Sequence, residues 1–148
     1  MAESICLHYT VPGDDFTRAG EASADLKQRL KKLGLPPDAV RKVSIALYEG
    51  EINLAIHAHG GNIDVEVGDD AVRMTLSDSG PGIADIALAM SEGYSTAPDE
   101  VRSLGFGAGM GLPNMKKYTD EMKIESTVGV GTTVSMTVFT HPQEEAVS

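Results

Sequence analysis

Residues 48–61 read YEGEINLAIHAHGG, where two glutamates and an asparagine interrupt an otherwise apolar, helix-like pattern. At about 100° per residue, Glu49 and Asn53 fall on one face of a helix predicted over about residues 38–58. Glu51 falls about 160° from Glu49, on the opposite side and among apolar residues. The two glutamates therefore cannot act on one small ligand from a regular helix.

Glu49 and Asn53 form a pair whose chemistry suits a metal or a reacting group. A carboxylate beside an amide oxygen suits Mg²⁺, which keeps several water ligands, or the activation of a nucleophile. The same pair is equally compatible with a solvated helix face or a polar group hydrogen-bonded within the core. For Glu51 we expect a structural role, as a partly buried ion pair, or a contact to a partner protein.

Gly50 costs the interior of the helix about 1 kcal/mol relative to Ala, and the sequence explains it only as room for a close neighbour. His57 continues the polar stripe of Glu49 and Asn53, and for this residue a structural role is favoured.

A second feature is Asp78-Ser79-Gly80-Pro81-Gly82, which follows a strand predicted over residues 71–77. A carboxylate at a strand end can accept a hydrogen bond from an exocyclic amino group, such as that of adenine. Gly80 and Gly82 allow a ligand to approach closer than a Cβ would permit. An ordinary turn of Asp, Gly and Pro has the same composition, so the motif alone leaves both interpretations open.

A third feature, GFGAGMGLPN at residues 105–114, places glycines at alternate positions before a helix predicted over about 112–120. Such a segment can direct successive N–H groups at an anion, and the helix amino terminus adds partial positive charge. It is not a P-loop, because no Gly-Lys-Ser/Thr follows, and its spacing is not that of a Rossmann fingerprint. We expect a phosphate-binding segment here, with a flexible surface loop as the alternative.

The rest of the chain predicts a single domain over residues 1–140 and a disordered tail over 141–148. Helices and strands alternate only partly, and the last two strands are adjacent, so we expect a mixed sheet with helices on one face. The remaining predicted elements are a strand at 4–11, a helix from Asp14 or Asp15 to about Leu33, a strand at 62–68, a short helix at 84–91, an irregular segment at 92–111 and a C-terminal hairpin.

Composition excludes several classes of function. The chain has 148 residues and a net charge of −10, and this charge argues against binding the phosphate backbone of DNA or RNA. The single Cys6 excludes an internal disulfide and, from its apolar strand, is expected to be a small core residue. No basic leader and no run of 18 apolar residues is present, so we expect no membrane span and a cytoplasmic location.

The chain resembles the GHKL ATPase superfamily, which includes gyrase, heat-shock chaperone, histidine kinase and mismatch-repair ATPase domains. The resemblance covers about residues 4–139. It rests on four motifs in the family's order: Glu49-x-x-x-Asn53, Asp78-x-Gly80-x-Gly82, Gly107-x-Gly109-x-Gly111 and Gly131-Thr132. Within the superfamily, size and the string at residues 93–126 are most similar to the bacterial anti-sigma regulatory serine/threonine kinases.

The resemblance implies a Bergerat fold, an α/β (α+β) sandwich with a mixed, mostly antiparallel sheet, helices on one face and a glycine-rich ATP lid. It implies Mg²⁺ and ATP or ADP as cofactors, with Asn53 as the metal ligand and Glu49 as the general base. Asp78 would read the adenine amino group, and Thr132 would support it through a water. The remaining residues expected to contact the nucleotide are Gly80, Gly82, Gly105, Gly107, Gly109, Met110, Gly111 and Leu112.

The function implied is a Mg·ATP-dependent serine/threonine kinase of a partner-switching module, acting on a small antagonist protein of the STAS type or another regulator. Partners would be regulatory proteins, including a sigma factor, and relatives often form homodimers; no nucleic acid and no membrane is expected. Two alternatives stay open: a non-catalytic switch that binds partners according to its nucleotide, and a free-standing ATPase subunit.

Overall fold

The computed structural model describes residues 5–13, 20–57, 60–80 and 111–140. Outside this part of the chain lie the predicted helix at 84–91, the irregular segment predicted at 92–111 except for Gly111, the helix start predicted at Asp14 or Asp15, and the tail. The described elements are β1 (Ile5–Pro12), α1 (Glu21–Lys32), α2 (Pro37–His57), β2 (Gly60–Val67), β3 (Ala71–Asp78), α3 (Gly111–Lys117), β4 (Glu121–Thr127) and β5 (Gly131–Phe139).

The described strands form one five-stranded sheet in the order β1-β2-β3-β5-β4. Each neighbouring pair in this order is antiparallel. The predicted class, helices with a mostly antiparallel sheet, is confirmed, and the described strands include no parallel pair. The register between β3 and β5 sets Asp78 opposite Thr132, so two of the predicted motifs meet at one end of the sheet.

One face of the sheet carries the core. Alternate residues of the three central strands point to the same side and are buried, as expected for strands with period 2. These residues are Ile63, Val65, Val67, Val72, Met74, Leu76, Val134, Met136 and Val138. Helix α2 packs on this face through Val43, Leu47 and Leu54, and it contacts both α1 and α3. The central helix therefore connects the sheet to both other described helices.

Helix α1 is amphipathic and is fixed to the edge strand by a polar contact. Ala22, Leu26 and Leu30 form its buried stripe, and the helix ends before Gly34, as the sequence predicted. The Tyr9 hydroxyl of β1 donates to Asp25 Oδ2 at 2.7 Å, and Arg29 Nε donates to the same oxygen at 2.7 Å. Burial and the Asp25 carboxylate both raise the pKa of the Tyr9 phenol, which keeps it neutral as a donor.

The prediction that Cys6 is a core residue is wrong, because its side chain is exposed. Among the described strands, β1 pairs with β2 alone and forms an edge of the sheet, and its side chains alternate between the two faces. Leu7 and Tyr9 pack against the core, so Cys6 and His8 face the opposite side. The apolar composition of the strand indicated a buried face but not which alternate residues form it.

Candidate functional site

Glu51 lies on the α1 side of helix α2 and is 2% exposed. Its two carboxylate oxygens accept hydrogen bonds from the backbone N–H groups of Ala22 and Ser23, each at 3.0 Å. These are amino-terminal N–H groups of α1, which lack partners within their own helix, and Gly20 before them supplies no side-chain cap. Glu51 thus has the structural role expected, but its partners are two backbone donors in place of a cation.

Glu49 lies on the α3 side of the same helix and is only partly buried. Asn114 of α3 donates from Nδ2 to Glu49 Oε2 at 3.3 Å. Burial raises the pKa of the Glu49 carboxyl, and the Asn114 hydrogen bond lowers it by a smaller amount. A carboxylate with a raised pKa is a stronger proton acceptor than an exposed one, which suits a general base.

Gly50 is explained by the close packing of three elements. A Cβ at this position would overlap Leu76 Cδ2 of β3 and would lie 3.3 Å from Met115 Cε of α3. Leu76 and Met115 are both buried in the core, with little room to shift. The absent side chain therefore lets the strand and α3 approach α2 at the turn that carries Glu49.

Asn53 lies one turn after Glu49 on α2 and is partly exposed. Within the described residues, no group forms a side-chain hydrogen bond with it, so its amide oxygen is available as a ligand for a hard cation. No group of three His, Cys, Asp or Glu side chains in the described ranges could hold a metal alone. A Mg²⁺ ion bound through Asn53 would need water and phosphate oxygens as its other ligands.

Asp78 ends strand β3, and only one of its carboxylate oxygens accepts hydrogen bonds from the described residues. Oδ1 accepts from the N–H of Gly80 at 2.8 Å and from the N–H of Thr132 at 3.3 Å. In residues 5–13, 20–57, 60–80 and 111–140, nothing donates to Oδ2. The carboxylate is thereby held in one orientation with a free acceptor, as recognition of an exocyclic amino group requires. The exocyclic amino group of adenine is a donor that this oxygen can accept from.

The β4–β5 hairpin supports Asp78 from the opposite strand. The hydroxyls of Thr132 and Ser126 are hydrogen-bonded at 2.8 Å, and Ser126 also donates to the carbonyl of Gly131 at 3.3 Å. Gly131 has a φ of +149°, and a Cβ there would overlap the Asp78 carbonyl oxygen. The glycine of the Gly-Thr motif therefore allows the strand to pass directly against the Asp78 backbone.

A cavity of about 430 Å³ adjoins this end of the sheet. Asp78 forms part of its wall, together with the start of β2; its described lining residues are Gly60, Gly61, Asn62, Ser77, Asp78, Ser79 and Gly80. Glu49 and Asn53 are not among these described lining residues.

Only some of the residues predicted to contact the nucleotide lie in the described part of the chain. Gly82, Gly105, Gly107, Gly109 and Met110 lie outside the described residues, as does the side chain of His57. Gly111 is the first residue of α3, and Leu112 is 7% exposed within the core cluster. The nucleotide contacts expected of these residues stay predictions.

Two side chains of the site were not predicted from the sequence. Asn114 contacts Glu49 across 65 positions of the chain, and Ser126 contacts Thr132 from the neighbouring strand. Asn114 follows the Gly107-x-Gly109-x-Gly111 motif and Ser126 precedes Gly131-Thr132, but neither carries a local pattern that distinguishes it from a surface polar residue.

No described helix is both long enough and apolar enough to cross a membrane.

Comparison with known proteins gives a family and several relatives. Residues 14–138 match the model of the histidine kinase-like ATPase domain. The serine/threonine-protein kinase RsbT of Bacillus subtilis is 32% identical over 108 residues, covering 70% of this chain and 75% of RsbT. The anti-sigma F factor of Caldanaerobacter subterraneus is 32% identical over 107 residues, covering 69% of this chain and 71% of that protein.

Two solved structures share the fold at low sequence identity. A Mycobacterium tuberculosis structure of RsbU and RsbW domains matches 93% of this chain with a TM-score of 0.62 and 18% identity. This chain spans only 33% of that longer one. The mycobacterial sensor histidine kinase MprB matches 93% of this chain and 100% of its own, with a TM-score of 0.53 and 17% identity.

Proposed function

We propose, on the premise that this chain belongs to the histidine kinase-like ATPase domain family, that it is a Mg·ATP-dependent protein kinase of the partner-switching type. It would transfer the γ-phosphoryl group of ATP to a serine or threonine of a regulatory protein. Its relatives include a protein named a serine/threonine-protein kinase and several anti-sigma F factors. The phosphorylated regulator would be a small protein of the STAS type or another regulatory protein. A sigma factor would be a further partner, and the reaction would take place in the cytoplasm.

The observation that carries this proposal is the partly buried Glu49, with a raised pKa, one helical turn from Asn53. A protein that only binds nucleotide needs Asn53, Asp78 and the glycines, but has no use for a proton acceptor beside them. The other glutamate of this turn is bound to α1 and is unavailable. Glu49 is therefore the residue we assign as general base.

The reaction follows from these positions. The hydroxyl oxygen of the substrate serine or threonine attacks the γ-phosphorus, the bond to the bridging oxygen breaks, and ADP leaves with that oxygen. Glu49 accepts the hydroxyl proton. Asp78 would orient the adenine ring through its second carboxylate oxygen, and Asn53 would hold the metal through its amide oxygen. Mg²⁺, when bound, neutralises charge on the phosphate oxygens.

Two measurements test the proposal. Calorimetry should show ATP binding that depends on Mg²⁺. Proteins retained by a Glu49→Gln variant with Mg·ATP are then incubated with the wild type and γ-labelled ATP, and phosphopeptides are mapped. We expect label on one serine or threonine of a retained protein.

The other outcomes contradict the kinase assignment in different ways. A nucleotide-dependent complex without label would support a non-catalytic switch, and phosphate release without label would support an ATPase. Absence of any ATP binding would overturn all three interpretations.

A further inference from the structure

The carboxylate of Glu49 accepts a hydrogen bond from Asn114, the last residue of the segment GFGAGMGLPN, for which the sequence predicted no role of its own. Asn114 Nδ2 lies 3.3 Å from Glu49 Oε2, and an ionised carboxylate can only accept, so the amide must present its N–H₂ group. This hydrogen bond occupies Oε2 of Glu49, and among the described residues nothing donates to Oε1, which is the oxygen available for a proton donor.

Both ends of this hydrogen bond start from fixed backbone. Met115, next to Asn114, is 1% exposed, and Leu112 on the same helix is 7% exposed. Met115 packs beside Gly50, the residue next to Glu49, and its Cε would lie 3.3 Å from a Cβ at that position. Asparagine has a short side chain, so little conformational freedom remains between the packed α3 backbone and the amide.

Solvation alone does not require this hydrogen bond. Glu49 is only partly buried, so water can reach and hydrate its carboxylate. The main effect of Asn114 is therefore on orientation, because a glutamate on a helix surface otherwise samples several rotamers.

We infer that Asn114 is a positioning residue for phosphoryl transfer: its side-chain amide holds Glu49 in the rotamer from which the free oxygen accepts the substrate hydroxyl proton. This inference rests on the proposed function, since it requires Glu49 to be the base. A general base acts only within hydrogen-bond reach of its proton, and small misplacements lower the rate strongly. The effect should appear in the transfer step and not in nucleotide binding.

The test compares three variants with the wild type. Asn114→Leu keeps the approximate size and removes the donor, Asn114→Gln keeps the amide with one more methylene, and Met115→Leu repacks the same helix with Asn114 intact. Single-turnover transfer from saturating Mg·ATP to the partner retained by Glu49→Gln is measured across pH. Mg·ATP affinity is measured by calorimetry and stability by urea unfolding.

We expect Asn114→Leu to lower the transfer rate about tenfold, or ~1.4 kcal/mol, with Mg·ATP affinity within twofold of the wild type. The acid limb of its rate profile should move to higher pH, because a contact that lowers the pKa of Glu49 has been removed. Asn114→Gln should recover part of the rate, and Met115→Leu should transfer at the wild-type rate.

Two outcomes would overturn the inference alone. One is a wild-type rate and pH profile for Asn114→Leu while Glu49→Gln is inactive. The other is a loss of transfer rate in Asn114→Leu that equal losses of Mg·ATP affinity and stability accompany, or that Met115→Leu reproduces. If Glu49→Gln transfers as fast as the wild type, the proposed base is wrong and the inference fails with it.

Discussion

Two sides of helix α2 carry the same side chain two residues apart, in different surroundings. Glu51 is buried, and both of its oxygens are bound by the amino terminus of α1. Glu49 is partly exposed, has one described donor, and retains an oxygen for chemistry. The two glutamates share their residue type and nearly the same sequence neighbourhood. The difference therefore shows that the role of a carboxylate in a helix depends on the element that it faces.

The side that carries Glu49 should bind the metal and the nucleotide through Asn53. We expect Asn53→Ala to weaken ATP binding about 10- to 100-fold when Mg²⁺ is present, because a ligand of the ion is lost. With EDTA present, the variant and the wild type should bind ATP alike. Isothermal calorimetry measures both, and an equal loss in EDTA would show that Asn53 contacts something other than the metal.

The side that carries Glu51 should govern stability. Glu51→Ala leaves two buried N–H groups without an acceptor, so we expect a loss of about 2–3 kcal/mol in the free energy of unfolding. Glu51→Gln keeps one acceptor oxygen and should lose about 1 kcal/mol. Urea unfolding measures both values.

The same variants test whether the two sides of the helix act separately. The ATP affinity of folded Glu51→Gln should stay close to that of the wild type, measured by calorimetry under the same conditions. A large loss of ATP affinity in this variant would show that Glu51 also contributes to nucleotide binding, which would contradict the separate roles of the two glutamates.

Gly50 lies between the two sides, and an added methyl group there should lower the stability of the fold. Gly50→Ala gains helix propensity of about 1 kcal/mol, but overpacking against Leu76 and Met115 costs about 1–3 kcal/mol. We expect a net destabilisation of about 1 kcal/mol in urea unfolding. A variant more stable than the wild type would show that the neighbouring side chains yield without cost.

The pH dependence of the transfer rate is a further test of Glu49 as the base, with a smaller expected effect. Glu49 must be deprotonated to accept a proton, and burial raises its pKa, so the rate should fall as pH drops through that raised pKa. The limb should therefore begin at a higher pH than for an ordinary exposed glutamate. Single-turnover transfer measured against pH gives this limb, and a rate independent of pH across the acid range would argue against a carboxylate base.

Local sequence pattern was sufficient for most elements of the fold. Alternating apolar residues predicted β2 and β3 to within two residues, and helical spacing separated the faces of Glu49 and Glu51. These patterns succeed because burial on one face repeats with the period of the element. They also predicted which end of β3 carries Asp78, since the motif follows the strand directly.

Contacts between distant parts of the chain were not accessible in this way. The pairing of Asn114 with Glu49 depends on how closely α3 approaches α2, and that approach depends on the glycine between them. The partner of Glu51 required the position of the α1 amino terminus, which no periodicity in α2 contains. The prediction for Cys6 was wrong for a related reason, because the sequence of an apolar edge strand does not indicate which alternate residues face the core.

The most direct test of the account measures single-turnover phosphoryl transfer at saturating Mg·ATP for the wild type, Glu49→Gln and Glu51→Gln. The partner retained by Glu49→Gln serves as the substrate in each case. We predict that Glu49→Gln lowers the rate by about 10²–10⁴-fold with Mg·ATP still bound, whereas folded Glu51→Gln stays within a few-fold of the wild type. Transfer by Glu49→Gln at the wild-type rate would contradict the assignment of Glu49 as the base.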